Sequence, residues 1–118
     1  MIGSTRAIRV FARNRPTDLR KGYNSLYALV LNELGHDPLQ GDMFLFINRT
    51  RTSAKVLLWD GTGLCIYGKK LARKRFSKLW SDLKQGTALQ MTQTELKLFL
   101  EGADIAKKLP ISPKEIHI

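Results

Sequence analysis

The chain has 118 residues, enough for one domain with a real core and too few for two ordinary ones. Hydrophobic residues make up 43%, which argues against wholesale disorder. Twenty Lys and Arg against ten Asp and Glu leave a net charge of +10, so the expected partner is a polyanion: nucleic acid first, an anionic membrane surface second, an acidic protein third.

The single cysteine, Cys65, excludes an internal disulfide and a thiolate zinc cluster. It sits in Leu64-Cys65-Ile66-Tyr67 and reads as a small core residue, in keeping with a reducing compartment. No stretch approaches the roughly 20 apolar residues of a membrane span. The start, Met1-Ile2-Gly3-Ser4-Thr5-Arg6, lacks the apolar centre of a signal peptide. The expected location is the cytoplasm, in association with the nucleoid.

Residues Ala7 to Ala12 alternate, with Ile8, Val10 and Ala12 on one face and Arg9 and Phe11 on the other, which predicts a short strand. Arg13-Asn14-Arg15-Pro16 ends it. A helix follows, with Thr17 as N-cap and Asp18 at the positive end of its dipole. Its stripe is Leu19, Tyr23, Leu26, Tyr27, Val30 and Leu34, and Gly35 stops it. Gly22 within the first turns costs about 1 kcal/mol against Ala, and would let another backbone come close. His36 to Asp42 is a loop. Met43 to Asn48 is an apolar run of strand length, Arg49 to Ser53 a polar hairpin tip, and Ala54 to Trp59 the return strand. Asp60-Gly61-Thr62-Gly63 is a tight turn into a third strand, Leu64 to Tyr67.

Gly68 to Trp80 fits two patterns. Lys70, Arg73, Lys74 and Lys78 would share a helical face beside Ala72, Phe76 and Leu79, and a strand with a bulge fits as well. Gly86 to Met91 reads as one more strand. Thr92-Gln93-Thr94-Glu95 is a capping box opening a second helix, whose buried stripe is Leu96, Phe99 and Leu100 and whose end is Gly102. Ile105 to Ile118, with Pro110 and Pro113, reads as a tail. The expected fold is α+β: one domain over residues 1–104, a small antiparallel meander with helices packed against it, and a C-terminal tail over 105–118.

Two basic clusters stand out. Lys69, Lys70, Arg73, Lys74, Arg75 and Lys78 form one, with no acid among them. Arg6, Arg9, Arg13, Arg15, Arg20 and Lys21 form the other, with Asp18 as its one acid. Arg49, Arg51 and Lys55 add charge around the hairpin tip. A run of cations neutralises successive phosphates and releases counterions, so these residues are the candidate nucleic-acid contacts, with DNA ahead of RNA. Arg49-Thr50-Arg51 on a flexible tip would reach into a groove wide enough for a two-stranded ribbon. Tyr67, Phe76 and Trp80 lie near this charge, where base stacking competes with a place in the core; core is the expectation.

The acids do not suggest catalysis. A metal-dependent nuclease or transposase centre gathers carboxylates around divalent ions. Asp18 reads as a helix-start residue, Asp42 as a loop residue and Asp60 as a turn residue, and Asp104 stands apart. His36 and His117 are isolated. Gly61-Thr62-Gly63 lacks the further glycine and following helix of a dinucleotide loop. No metal or other cofactor is expected, and no active site.

Several stretches also resemble a known family. They are Thr17-Asp18-Leu19-Arg20-Lys21-Gly22-Tyr23, Asp37-Pro38-Leu39-Gln40-Gly41-Asp42-Met43-Phe44-Leu45-Phe46, and Lys55 through Tyr67 with Lys69-Lys70-Leu71 and Arg75-Phe76. Thr92 through Gly102 fits that family's closing helix. The chain resembles the TnpB-type accessory protein, product of the second open reading frame, of insertion sequences of the sixty-six family. The resemblance implies a protein encoded beside a separate, larger transposase and supporting transposition in bacteria. Two places depart: Lys74 stands where the family tends to have Gly, and Ser77-Lys78-Leu79-Trp80 lacks the Pro that often follows a Trp there. The expected function is a non-catalytic, DNA-binding accessory factor. The alternative is a module that docks on the transposase through charge complementarity. An exposed edge strand would allow two copies to pair.

Overall fold

An apolar run without alternation belongs to a strand buried on both faces. Met43-Phe44-Leu45-Phe46-Ile47 is such a run, and in the computed structural model, which describes residues 7–80 and 86–103, it lies at the centre of the sheet. The strands are β1 (Val10–Arg13), β2 (Met43–Ile47), β3 (Ser53–Trp59), β4 (Leu64–Lys70) and β5 (Ala88–Met91). Their order across the sheet is β4-β3-β2-β1-β5. β2, β3 and β4 form the expected antiparallel meander. The sheet as a whole is mixed, because β1 runs parallel to β2, with Val10 opposite Met43, and β5 pairs antiparallel with β1's other side. The residues between β1 and β2 carry a helix, and a crossover of that length is what parallel pairing needs.

One face of the sheet gathers Phe11, Phe44, Phe46 and Leu57. Helix α1 (Tyr23–Leu29), prolonged by a wide turn over Val30–Leu34, covers it with Leu26, Val30 and Leu34. Gly35 ends the helix in the left-handed region, at φ 71°. The helix start differs from expectation. Its N-cap is Gly22, not Thr17, and nothing lies within 4 Å of a Cβ placed there, so the glycine makes no close approach to another backbone. Thr17 is instead buried: its amide donates to the Ile47 carbonyl (2.8 Å) and its hydroxyl accepts from Arg13 (3.2 Å). Asp18 pairs with Arg20.

The opposite face gathers Val10, Ala12, Leu45, Ile47, Ala54 and Val56. Helix α2 (Gln93–Leu100) covers it with Leu96 and Phe99, opening on the predicted capping box: the Glu95 amide donates to Thr92 Oγ1 (3.1 Å) and the Thr92 amide to Glu95 Oε1 (2.8 Å). The segment after β4 completes the cover. It forms neither the helix nor a continued strand beyond Lys70, yet it buries Phe76 and Leu79. Phe76 stacks on Phe99 with ring centroids 5.1 Å apart. Cys65, expected in the core, is half-buried on the edge strand β4. The expected tail over 105–118 lies outside the described residues. No helix among the described residues is long and apolar enough to cross a membrane.

Phe99 and Thr92 separate packing from capping. Phe99→Ala is expected to cost about 3–5 kcal/mol of stability, and Thr92→Ala about 1 kcal/mol. Urea unfolding followed by far-ultraviolet circular dichroism measures both. Equal costs would mean that α2 is held by its cap and not by the aromatic stack.

Candidate nucleic-acid interface

The structure sorts the predicted cations into those engaged inside the fold and those left at its surface. Arg13 is engaged. Its guanidinium grips Glu33 through Nε and Nη2 (Nη2 to Oε1 2.8 Å), donates from Nη1 to the Pro16 carbonyl (2.9 Å), and its side chain is only 13% exposed. Arg9 joins β1 to the start of β2: its amide donates to Asp42 Oδ1 (3.0 Å) and its Nη2 to Oδ2 (2.8 Å), while its guanidinium lies 5.3 Å from the centre of the Phe11 ring. Arg6 lies outside the described residues. Lys74 sits at φ 39°, and its Cε stands 2.5 Å from where a Cβ would be on Gly102. Its ammonium therefore rests at the carboxyl end of α2, the negative pole of the helix dipole.

The hairpin tip is braced, unlike the flexible tip expected. The Asn48 carboxamide oxygen accepts from the amides of Thr52 (2.9 Å) and Ser53 (3.1 Å). The segment after β4 crosses the tip: Leu71 N donates to Thr52 O (3.0 Å), Phe76 N to Arg51 O (2.7 Å), and Arg51 Nη1 to Phe76 O (2.9 Å). Arg51, at φ 59°, thus turns toward the protein. Arg73, Arg75 and Lys78 stay exposed on the crossing segment and Arg15 on the loop after β1. Of the aromatics, Phe76 is buried and Trp80 packs against the core, as expected, but Tyr67 is 51% exposed.

Some of the remaining cations converge. A hollow of about 610 Å³ lies between residues 16–20 and the β2–β3 turn, lined by Leu19, Arg20, Arg49, Thr50 and Ser53 among others. A second, of about 380 Å³, shares Leu19 and Ser53 with it and continues over Lys55, Gly68 and Lys70, while the Lys69 side chain, opposite Ala54, alternates to the α2 face beside Tyr67 and Lys97. Together they form one trough across the α1 side of the sheet toward the β4 edge. Lys55 Nζ donates to the Lys21 carbonyl (3.1 Å), which ties it to the Lys21 backbone without neutralising its charge. Arg20 is paired with Asp18 (Nη2 to Oδ2 2.7 Å), an exposed carboxylate held well below the usual range by the Arg20 side chain and amide. Arg49, Lys55, Lys69 and Lys70 make no ion pair with any described residue. The trough was not visible in sequence, because Leu19, Ser53 and Gly68 carry no charge signal.

The acids have structural work. Asp42 is 2% exposed and receives Arg9. Asp60 accepts from Thr62 N (2.8 Å), Thr62 Oγ1 (2.8 Å) and Gly63 N (2.9 Å), and these bonds hold its carboxyl at about 2. Burial, then the Asp60 side chain, pushes the Cys65 thiol up. His36 stacks on Phe11, ring centroids 4.1 Å apart. Asp104 and His117 lie outside the described residues. Among the described residues, no group of three or more His, Cys, Asp or Glu is placed to hold a metal ion.

Fold and surface together define a small basic domain, helices on both faces of a mixed sheet, with part of its unpaired charge set along one trough. The chain belongs to the family described as IS66 Orf2 like protein, whose model matches residues 8–109. Membership suggests an accessory role in the transposition of an insertion sequence. The chain is similar to two proteins of Sinorhizobium fredii (strain NBRC 101917 / NGR234), both described as uncharacterized: y4jC and y4hO. It is 36% identical to y4jC over 104 residues, 88% of this chain and 86% of that protein. It is 35% identical to y4hO over 104 residues, 88% of each. No solved structure matches the chain.

The Arg13–Glu33 pair sets a pH dependence. The Arg13 guanidinium lowers the Glu33 carboxyl from its ordinary 4.5, so the pair's contribution is full above that value and is lost as pH falls through the lower folded value. At neutral pH Glu33→Gln is expected to cost about 1–2 kcal/mol. The gap between wild type and variant should narrow steadily below pH 4.5 in urea titrations. A gap independent of pH would show that the pair contributes through shape and not charge.

Proposed function

We propose that this protein binds DNA through the basic trough and its flanking cations, as a non-catalytic accessory factor in insertion-sequence transposition. The observation that carries this reading is convergence. Arg49 at the β2–β3 turn, Lys55 on β3 and Lys70 at the end of β4 belong to different elements, yet the fold sets them along one trough. Solubilising charge has no need to converge, whereas a phosphate backbone presents a row of charges to be met together. Arg73, Arg75 and Lys78, exposed beyond the braced hairpin tip, extend the positive field.

The test is a fluorescence-anisotropy titration against an element-end duplex and a scrambled duplex at several salt concentrations. Affinity is expected to fall steeply with salt. The double variant Lys55→Ala, Lys70→Ala should reduce the slope of log K against log salt by about 1.8, at about 0.9 for each phosphate left without its cation. Preference for the element end would mark recognition of the transposon, and equal binding a non-specific scaffold. No binding to either duplex or to their separated strands at low salt would sink the DNA reading, and a stable complex with the transposase in the absence of DNA would replace it with docking.

A further inference from the structure

Gly68 stands in the interior of β4, where a glycine weakens a strand and calls for a reason. The usual reasons are absent at this position. The pairing with β3 runs without a bulge from Ser53 opposite Lys70 to Trp59 opposite Leu64, with Lys55 opposite Gly68. Its φ lies outside the left-handed region, so any residue is compatible with the backbone there. A Cβ placed on it meets nothing within 4 Å, so no neighbouring part of the fold demands the missing side chain. The remaining reason for a bare strand position is the close approach of another molecule.

The place of Gly68 says what that molecule is. It lines the second hollow of the trough, between Lys55 on β3 and Lys70 on the same strand. The trough is concave, and its two hollows, about 610 and about 380 Å³, each match a site for one small ligand. A nucleotide or two fits such a hollow. A duplex, whose major groove alone is about 12 Å wide, is read by an element that protrudes, and the hairpin tip is bound down by the segment that crosses it.

We infer that the trough holds a single strand of DNA in extended form, its phosphates met by Arg49, Lys55 and Lys70 and its path running against the bare backbone of Gly68. The inference rests on the DNA-binding reading and specifies its substrate. A duplex reaches the lysine ammonium groups from the rim of the trough but does not enter it as far as Gly68.

The experiment compares a fluorescein-labelled 12-nucleotide single strand with a duplex of the same sequence, for the wild type and for Gly68→Val. Valine suits a strand and has open space here, so the variant is expected to melt at or above the wild-type temperature. The wild type should bind the single strand more tightly than the duplex. Gly68→Val should weaken single-strand binding by about tenfold, the scale of one nucleotide's contribution, and leave duplex binding unchanged. Duplex binding as tight as single-strand binding, or a Gly68→Val protein that melts normally and binds the single strand like wild type, would overturn the inference while leaving the DNA-binding reading in place. Loss of all binding by the wild type at low salt would overturn both.

Discussion

A sheet whose central strands are apolar on both sides must be covered on both sides, and the rest of the molecule follows from how this chain does so. β1 and β2 send Phe11, Phe44 and Phe46 one way and Val10, Ala12, Leu45 and Ile47 the other. Two short helices are little cover for five strands. Helix α1 shields the first face, with Leu64 and Ile66 of β4 packed at its margin. Beyond Ile66 the strand continues to Lys70 without such cover, and the exposed end of that face is the trough. The second face is closed by α2 together with Phe76 and Leu79, side chains from a segment with no regular structure of its own. Burying Phe76 fixes where that segment runs. It must cross the hairpin tip, which braces the tip and leaves Arg73 and Arg75 outside.

The same geometry divides the charge. A net +10 suggests a uniformly positive surface, yet several cations are already engaged within the fold. Arg9 and Arg13 hold strands and helix together through Asp42 and Glu33, Arg51 is turned to a carbonyl, and Lys74 lies at the end of α2. Three of these four are arginines with multiple donors aimed at fixed acceptors, the kind of contact the planar guanidinium makes best. The lysines at the trough have flexible stems and single points of charge, suited to a polyanion whose phosphates need not fall in one fixed pattern.

Local signals were legible in the sequence, and long-range ones were not. The capping box at Thr92, the Asp60 turn and the three-stranded meander are written in adjacent residues and stand where expected. The parallel pairing of β1 with β2 is a contact across a helix, and nothing in either strand announces its neighbour. Thr17 reads as a helix cap because threonine caps helices, but its hydroxyl is taken by Arg13 and its amide by Ile47, so the helix waits until Gly22. The segment after Lys70 left two patterns open, and it takes neither, since Lys74 adopts φ 39°. That is a conformation in which glycine is the unstrained choice. The resembled family tends to have glycine at this place; the departure is one of residue, with the backbone still in the glycine conformation.

The edge of the sheet shows why Lys69, Lys70 and Gly68 should not be given a single explanation. Lysines on an edge strand discourage pairing with a second copy, and that purpose accounts for Lys69 and Lys70 without any ligand. It does not account for Gly68. Protection of an edge is served by charge, bulk, a proline or a bulge, and a bare residue in regular register supplies none of them. A glycine there makes the edge flatter and more open to approach. The lysines and the glycine agree only if the thing approaching is negatively charged and thin enough to lie against the backbone: the charge repels a second basic chain, and the same charge draws a phosphodiester strand into the space that the missing side chain leaves.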